Sequence, residues 1–371
     1  MKRLFGILLV LVLVLVCTAA FAATPAVESR METAYARHFT LDYCEGGYQL
    51  ISIINNKDEV VQRFLTIPEG AEVPADLDED ITALQLPLNN LLISSTPTTS
   101  LINAIGALEA VSLTTTDYDT WYIPEVKDEM NSGNIVYVGS YKEPDFELLA
   151  AAQPPFSVFS TMLESVPDVA EKLTELGIPY MLDESTYEDH PLGRVEWIKL
   201  YGALLGKEAD AEDAFDAQEA LINAIGGEKT GKTVAMFYIT SKGALYARNG
   251  GDYMAAMLNL AGGEYILSGM NPEKSGTQQM EMEEFFAQAG EADYIIYIWS
   301  LGGKPADLAA FLERNEMLSE FKAVKEGNVW CTTPDYFQIS NTLGEMVADM
   351  NRMLTNDDPS VTAFTYLFKL Q

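Results

Sequence analysis

Histidine, cysteine and positive charge are all scarce in this sequence, which holds two His, three Cys and 23 Lys plus Arg against 55 Asp plus Glu among 371 residues. A bare zinc or manganese site needs several His, Cys or carboxylate ligands converging. His38 and His190, with no CxxC or HExxH spacing, do not supply them, so no metal ligand is assigned to the chain itself. Cys44 and Cys331 are far apart and read as two separate thiols rather than a disulfide framework. A net charge of -32 repels phosphate backbones and anionic lipid surfaces, which excludes nucleic acid as a partner. There is no G-x-S-x-G elbow and no recognisable nucleophile partner for either histidine, so no catalytic constellation is found.

Long apolar runs are also missing, except at the start. Lys2 and Arg3 form a positive n-region, Leu4 to Val16 an apolar h-region and Ala20-Phe21-Ala22 a small-x-small cleavage site, so residues 1–22 read as a signal peptide and the mature chain begins near Ala23. The run is shorter than the roughly 20 residues a spanning helix needs. Loss of Lys2 and Arg3 takes the net charge from -32 to -34. Export to the periplasm is expected. Lipid anchoring through Cys17 is the lesser alternative, because Val16 stands where a lipobox normally has a small residue. The mature length, roughly 350 residues, exceeds the size at which one core stops growing, and two domains are expected.

From Phe39 to Ile54 the alternation around Glu45-Gly46-Gly47 suggests a β-hairpin decorating the start of the first domain. A βα rhythm follows. Strands are expected at Leu91 to Ser94, Val111 to Leu113, Ile135 to Val138, Phe156 to Phe159 and Tyr180 to Leu182. Helical stretches at Thr98 to Leu108, Asp145 to Ala152 and Pro167 to Leu176 separate them. Such alternation implies a mainly parallel sheet covered on both faces. Between Leu192 and Ile225 two consecutive helices replace the rhythm. It resumes with strands at Thr233 to Ile239, Tyr294 to Trp299 and Asn328 to Thr332, and with helices at Asp252 to Ala261, Glu281 to Ala289 and near Ile339 to Leu354. The expected architecture is therefore α/β, two Rossmann-like lobes at 23–190 and 226–371, linked through helices at 191–225.

Gly226 to Thr233 fits the phosphate-binding pattern GxxxxGK[ST], but a working P-loop leaves a strand and opens a helix. This one leaves a helix and enters a strand, and reads as a turn. The ligand crevice of an open parallel sheet lies at strand C-terminal ends. There the sequence offers Ser95, Thr96 and Thr98, either as an ordinary helix cap or as donors to an anionic group. Trp121, Tyr122, Tyr141, Ser160, Tyr238, Trp299 and Tyr336 sit at comparable positions, where aromatics can stack on a macrocycle or catecholate. Around the handover between lobes, Tyr187, His190 and Arg194 are candidates, with Arg248 reaching in from the second lobe. The arginines suit an acidic ligand, and His190 or a tyrosine an iron axial position; for His190 a local helix-capping bond is the alternative.

The stretches Ser94 to Leu108, Val138 to Pro154, Tyr187 to Lys207, Glu283 to Tyr297 and Gly327 to Thr332, in this order and spacing, resemble the iron-siderophore, haem and cobalamin class of ABC substrate-binding proteins. That resemblance implies two lobes joined by a long inter-lobe helix, a metal-chelate as cargo rather than a cofactor, and no enzymatic activity. It also implies a monomeric free receptor and, as partners, an ABC permease and through it an ATPase. It further implies one acidic docking residue per lobe, here Glu147 and Glu283, with Glu284 a one-residue alternative. The run Gln153-Pro154-Pro155-Phe156-Ser157 departs from the Pro-Asp-Leu-Val-like strand end of that class. A receptor for a non-metal solute such as an oligosaccharide is the alternative reading. A two-lobed metalloenzyme would need cluster cysteines that two scattered thiols do not provide.

Overall fold

A computed structural model describes residues 24–371, so the expected leader and Cys17 lie outside the described residues. The chain opens with five strands: β1 (Val27–Arg30), β2 (Phe39–Cys44), β3 (Gln49–Ile54), β4 (Val60–Ile67) and β5 (Ile81–Gln85). They form one sheet in sequence order, antiparallel from β1 to β4, with β5 added in parallel. The expected hairpin is β2 and β3, and it is the centre of this larger sheet rather than a separate decoration.

The first α/β unit contains β6 (Leu91–Ser94), α1 (Thr96–Ala104), β7 (Val111–Thr114), α2 (Pro124–Ser132) and β8 (Val136–Tyr137). A small ribbon follows, β9 (Gly139–Ser140) with β10 (Glu143–Pro144). Then come α3 (Phe146–Ala152), β11 (Ser157–Ser160), α4 (Pro167–Glu175) and β12 (Tyr180–Asp183). Its sheet runs β12-β11-β6-β7-β8 and is wholly parallel. Strand alternation sends Leu91 and Ile93 to one face, against α1 and the N-terminal sheet, and Leu92 to the other, against Leu149, Phe159 and Leu173. Gln62 of β4 finishes the sheet edge: its amide donates to Tyr180 O (2.9 Å) and its carbonyl accepts from Leu182 N (2.7 Å), as a further strand would.

The connection consists of two helices, α5 (Pro191–Leu205) and α6 (Glu208–Ile225). Pro191 sits at the first turn of α5 and Gly206 ends it in the left-handed region. Twelve of its 15 residues are buried, so this helix is core on every side. In α6 only a stripe at Ala211, Phe215, Gln218 and Ile222 is buried. The two helices approach closely because Gly202 has no Cβ; one added there would lie 2.6 Å from Cβ of Ala211.

The second unit contains β13 (Thr233–Ile239), β14 (Leu245–Arg248), α7 (Tyr253–Leu260), β15 (Glu264–Tyr265), β16 (Thr277–Met280), α8 (Met282–Ala289) and β17 (Tyr294–Tyr297). It closes with α9 (Trp299–Gly302), α10 (Leu308–Leu312), α11 (Lys322–Lys325), β18 (Val329–Thr332), α12 (Leu343–Thr355) and β19 (Leu367–Lys369). Its main path is β16-β14-β13-β17-β18-β19, parallel at β13, β17 and β18, antiparallel at the edges. The GxxxxGK[ST] match lies between α6 and β13. There Gly226 ends the helix, Lys229 Nζ donates to Asn259 O (2.8 Å) and Thr230 Oγ1 to Gly262 O (3.0 Å), the bonding of a turn. Among the described residues no helix is long and apolar enough to cross a membrane.

Candidate functional site

The C-terminal ends of the first parallel sheet point at the second unit, and the crevice lies between them. Ser95 caps α1, accepting from Thr98 N (3.3 Å), and Pro97 follows in the first turn, so the β6–α1 junction is fixed by local sequence. Around this junction an outer compartment of about 360 Å3 is lined by hydroxyls of Ser95, Thr96, Thr116, Ser160 and Thr161, flanked by Tyr141, Arg194 and Phe337. The hydroxyl Ser94 Oγ lies 2.5 Å from Thr115 Oγ1. Asp183, at the end of β12, is already engaged: it accepts from Thr98 Oγ1 (2.5 Å), Tyr201 Oη (2.6 Å) and Ser185 N (2.9 Å). Burial, then the neighbouring Asp183, pushes the Tyr201 phenol far up, so it serves as a donor.

An inner compartment of about 270 Å3 shares Pro97, Thr186, Arg194, Phe337 and Ser340 with the outer one and continues to Arg248, Asp252, Tyr253, Ser275 and Tyr336. Arg194, on α5, lies over the Tyr253 ring at 3.8 Å and donates from Nη2 to Thr186 O. Burial lowers its pKa, and the charge of Arg248 works in the same direction, while Tyr253 and Asp252 oppose it. Arg248, at the end of β14, lies over Phe337 at 5.1 Å and reaches Asp252 at 3.5 Å. Burial raises the Tyr253 and Tyr336 phenols, which keeps both protonated. The units are tied across the crevice by Gln338, which donates to Thr120 O (2.7 Å) and accepts from Tyr122 N (2.9 Å), and by Ser340 N to Ser100 Oγ (3.0 Å).

Of the residues singled out from sequence, Ser95, Thr96, Tyr141, Ser160, Arg194, Arg248 and Tyr336 line these compartments. Others lie elsewhere. Trp121 is 1% exposed and packs in the core with Nε1 donating to Thr116 O (3.1 Å), a correction to its placement in the crevice. Thr98 is wholly buried beneath the crevice, holding Asp183. Tyr122 is exposed near the rim, Tyr238 stacks on Tyr246 at 5.2 Å, and Trp299 packs edge-on to Phe368 at 6.1 Å; none of the three lines a compartment. Tyr187 faces His38 at 6.3 Å. His190 caps α5 by accepting from Leu192 N (3.1 Å) and stacks on Tyr35 at 4.5 Å; burial lowers its pKa, favouring the neutral imidazole this role needs. Asp252, Tyr253 and Ser275 were not singled out; the turn Asn249-Gly250-Gly251-Asp252 directly after a strand end at Arg248 is the signal that marks them. Glu147 and Glu283 are exposed in the first turns of α3 and α8. Among the described residues no three His, Cys, Asp or Glu side chains cluster as a metal site, and Cys44 and Cys331 are free and buried.

An uncharacterised lipoprotein of Methanocaldococcus jannaschii is 26% identical over 327 residues, covering 82% of this chain and 77% of the relative. A second uncharacterised lipoprotein of the same organism is 27% identical over 317 residues, with the same coverage. Among solved structures, a periplasmic haem-binding protein of Pseudomonas aeruginosa superposes with a TM-score of 0.59 at 19% identity, over 77% of this chain and 99% of that one. The petrobactin-binding protein of Bacillus subtilis gives 0.58 at 16% identity, over 73% and 94%. The fold is therefore that of the two-lobed periplasmic binding proteins, as the α/β reading expected. The model of the periplasmic binding protein family matches residues 93–336, from the end of β6 to Tyr336 in the inner compartment, and the chain belongs to that family.

Proposed function

We propose that this protein is the extracytoplasmic receptor of an ABC importer, capturing a metal-chelate between its lobes and delivering it to the permease. The observation that carries the reading is the crevice: a hydroxyl-lined chamber with two arginines and flanking aromatics, in which the described residues offer no clustered ligands for a bare ion. Such a chamber suits a metal already enclosed by its own ligands, recognised through the chelate's outer surface. The haem- and petrobactin-binding proteins that share the fold support the same class of cargo. The chelate is cargo, and the protein performs capture without chemistry. Because the buried helix α5 joins the lobes, closure is a modest movement about a stiff connection. Export is common to a free periplasmic chain and to one tethered through Cys17; the relatives named as lipoproteins support the tether.

Gel filtration of the purified mature protein with ferric siderophores, haem, cobalamin and control sugars, followed by absorbance of the protein peak, tests the proposal. One chelate is expected to co-elute in a one-to-one ratio. Retention of a sugar and of no chelate overturns it. For docking, the exposed Glu147 and Glu283 are assigned to arginine contacts on the permease, with Glu284 beside the latter. Charge reversal of both (Glu147→Arg with Glu283→Arg) is expected to slow uptake by the reconstituted importer about tenfold or more, with chelate affinity unchanged, since peripheral charges govern encounter with the partner. Uptake at the wild-type rate rejects the assignment.

A further inference from the structure

The inner compartment holds donors that no acceptor among the described residues takes up. Arg248 is 5% exposed, yet among the described residues its Nε and Nη2 have no hydrogen-bond partner. These two nitrogens share one edge of the guanidinium, the side-on fork that receives two oxygens of one acidic group. The same edge is used elsewhere in this molecule, where Arg30 Nε and Nη2 hold Asp42 at 2.6 and 2.9 Å. Asp252 does not fill the fork of Arg248. It meets Nη1 at 3.5 Å and is fixed by Met254 N (3.0 Å), Gly276 N (2.9 Å) and Ser275 Oγ (3.3 Å). The hydroxyl of Tyr336, 1% exposed, is likewise without a partner and lines the same cavity.

Leaving charged N–H groups buried and unpaired is unfavourable, and the natural resolution is a bound acceptor. Charge points the same way: the compartment brings Arg194 and Arg248 against the single carboxylate of Asp252, in a chain where acidic residues outnumber basic ones 55 to 23. We infer that this compartment is an oxyanion receptor, taking a carboxylate or phosphate-type group in the Arg248 fork, with the Tyr336 hydroxyl as a third donor and Arg194 supplying charge from the linking helix α5. The site bridges both lobes, so an occupant would hold them together. The oxyanion is either a free anion or an acidic arm of the cargo, since the two compartments are neighbours that share Pro97, Arg194 and Phe337 as walls. The inference deepens the proposed function but does not require the cargo to be a chelate.

Calorimetric titration of the mature protein with inorganic phosphate and with acetate, and with ferric citrate against a neutral ferric trihydroxamate, tests it. Saturable binding of at least one acidic probe is expected. It should weaken about tenfold to a hundredfold in Arg248→Gln, and less in Arg248→Lys, which keeps the charge and loses the fork. Tyr336→Phe, which removes one oxygen and no packing, should weaken it about threefold to tenfold and keeps the test open if Arg248→Gln does not fold. Binding of phosphate or acetate alone identifies a free anion; Arg248-dependent binding of ferric citrate alone identifies an arm of the cargo. If acidic and neutral chelates bind alike and neither Arg248→Gln nor Tyr336→Phe alters either, the oxyanion receptor is rejected while chelate capture stands. If phosphate binds through Arg248 and no chelate binds, the receptor stands and chelate capture falls. Silence toward every probe rejects both.

Discussion

Replacing Glu196 with alanine is expected to destabilise the protein by about 3–5 kcal/mol, because it removes the sole acceptor for three backbone N–H groups beside the centre of the fold. The Glu196 side chain is wholly buried on α5. Its Oε1 accepts from Ala34 N (2.9 Å), its Oε2 from Tyr35 N and Ala36 N (both 2.8 Å), and Lys199 Nζ lies 3.7 Å away. Glu188 continues the pattern, accepting from Arg37 N and His38 N (3.0 Å each) and from Trp197 Nε1 (3.0 Å). Two carboxylates thus take the N–H groups of five consecutive residues, 34 to 38, and clamp the segment between β1 and β2 onto α5. Gly193 makes room for it: a Cβ there would sit 3.2 Å from Tyr35 O. The Tyr35 hydroxyl adds a bond to Glu219 on α6 (2.7 Å). Urea unfolding of Glu196→Ala beside wild type measures the loss, and amide hydrogen exchange at residues 34–38 should accelerate selectively. A change below about 1 kcal/mol with unaltered exchange would show that the clamp is incidental.

That clamp explains part of what was hidden in the sequence. The βα rhythm was legible because largely buried parallel strands such as Leu91–Ser94 and Tyr294–Tyr297 are short apolar runs with turn residues at their ends. The N-terminal sheet shows in the sequence as one hairpin because β4 opens on the exposed Val60 and Val61 and becomes buried only halfway, and β5 pairs in parallel after a 13-residue connection; neither shows period-2 alternation. Strands β14 and β16, Leu-Tyr-Ala-Arg and Thr-Gln-Gln-Met, become strands through pairing with each other and with β13, which no local pattern reveals. Helix α2 escaped notice because Val126 is its one buried residue. The same distinction governs the site. Arg194 and Arg248 stood out as rare cations at element ends, and the fold brings them to one cavity. Trp121 and Tyr141 looked alike as aromatics in loops. Only the packing separates them: the indole of Trp121 finds Thr116 O inside the core, while Tyr141 borders the crevice.

A second large effect is expected at Glu184, just beyond β12 and beside the crevice. The residue is 1% exposed, its Oε2 has no partner among the described residues, and burial, then the charges of Glu164 and Asp183, push its pKa from 4.5 up to about 7. A carboxyl raised on folding holds its proton more tightly in the native state. Its contribution is therefore fully present below the unfolded value near 4.5 and is lost as pH rises through about 7. Above that, the native state carries a buried, unpaired negative charge. Glu184→Gln is neutral at every pH and keeps the shape, so it is expected to match wild type near pH 4 and to exceed its stability at pH 8 by up to about 3 kcal/mol. Urea unfolding of both proteins at the two pH values measures the difference, and comparing variant with wild type cancels the titrating groups that do not interact with Glu184. Equal stabilities at pH 8 would mean that the carboxylate finds solvent or a partner when it ionises. The expected gap would instead place a group that titrates near neutrality within one residue of Asp183 and Ser185, which line the outer compartment. In that case the affinity of the crevice for its cargo should itself differ between pH 6 and pH 8 in wild type and lose that dependence in Glu184→Gln.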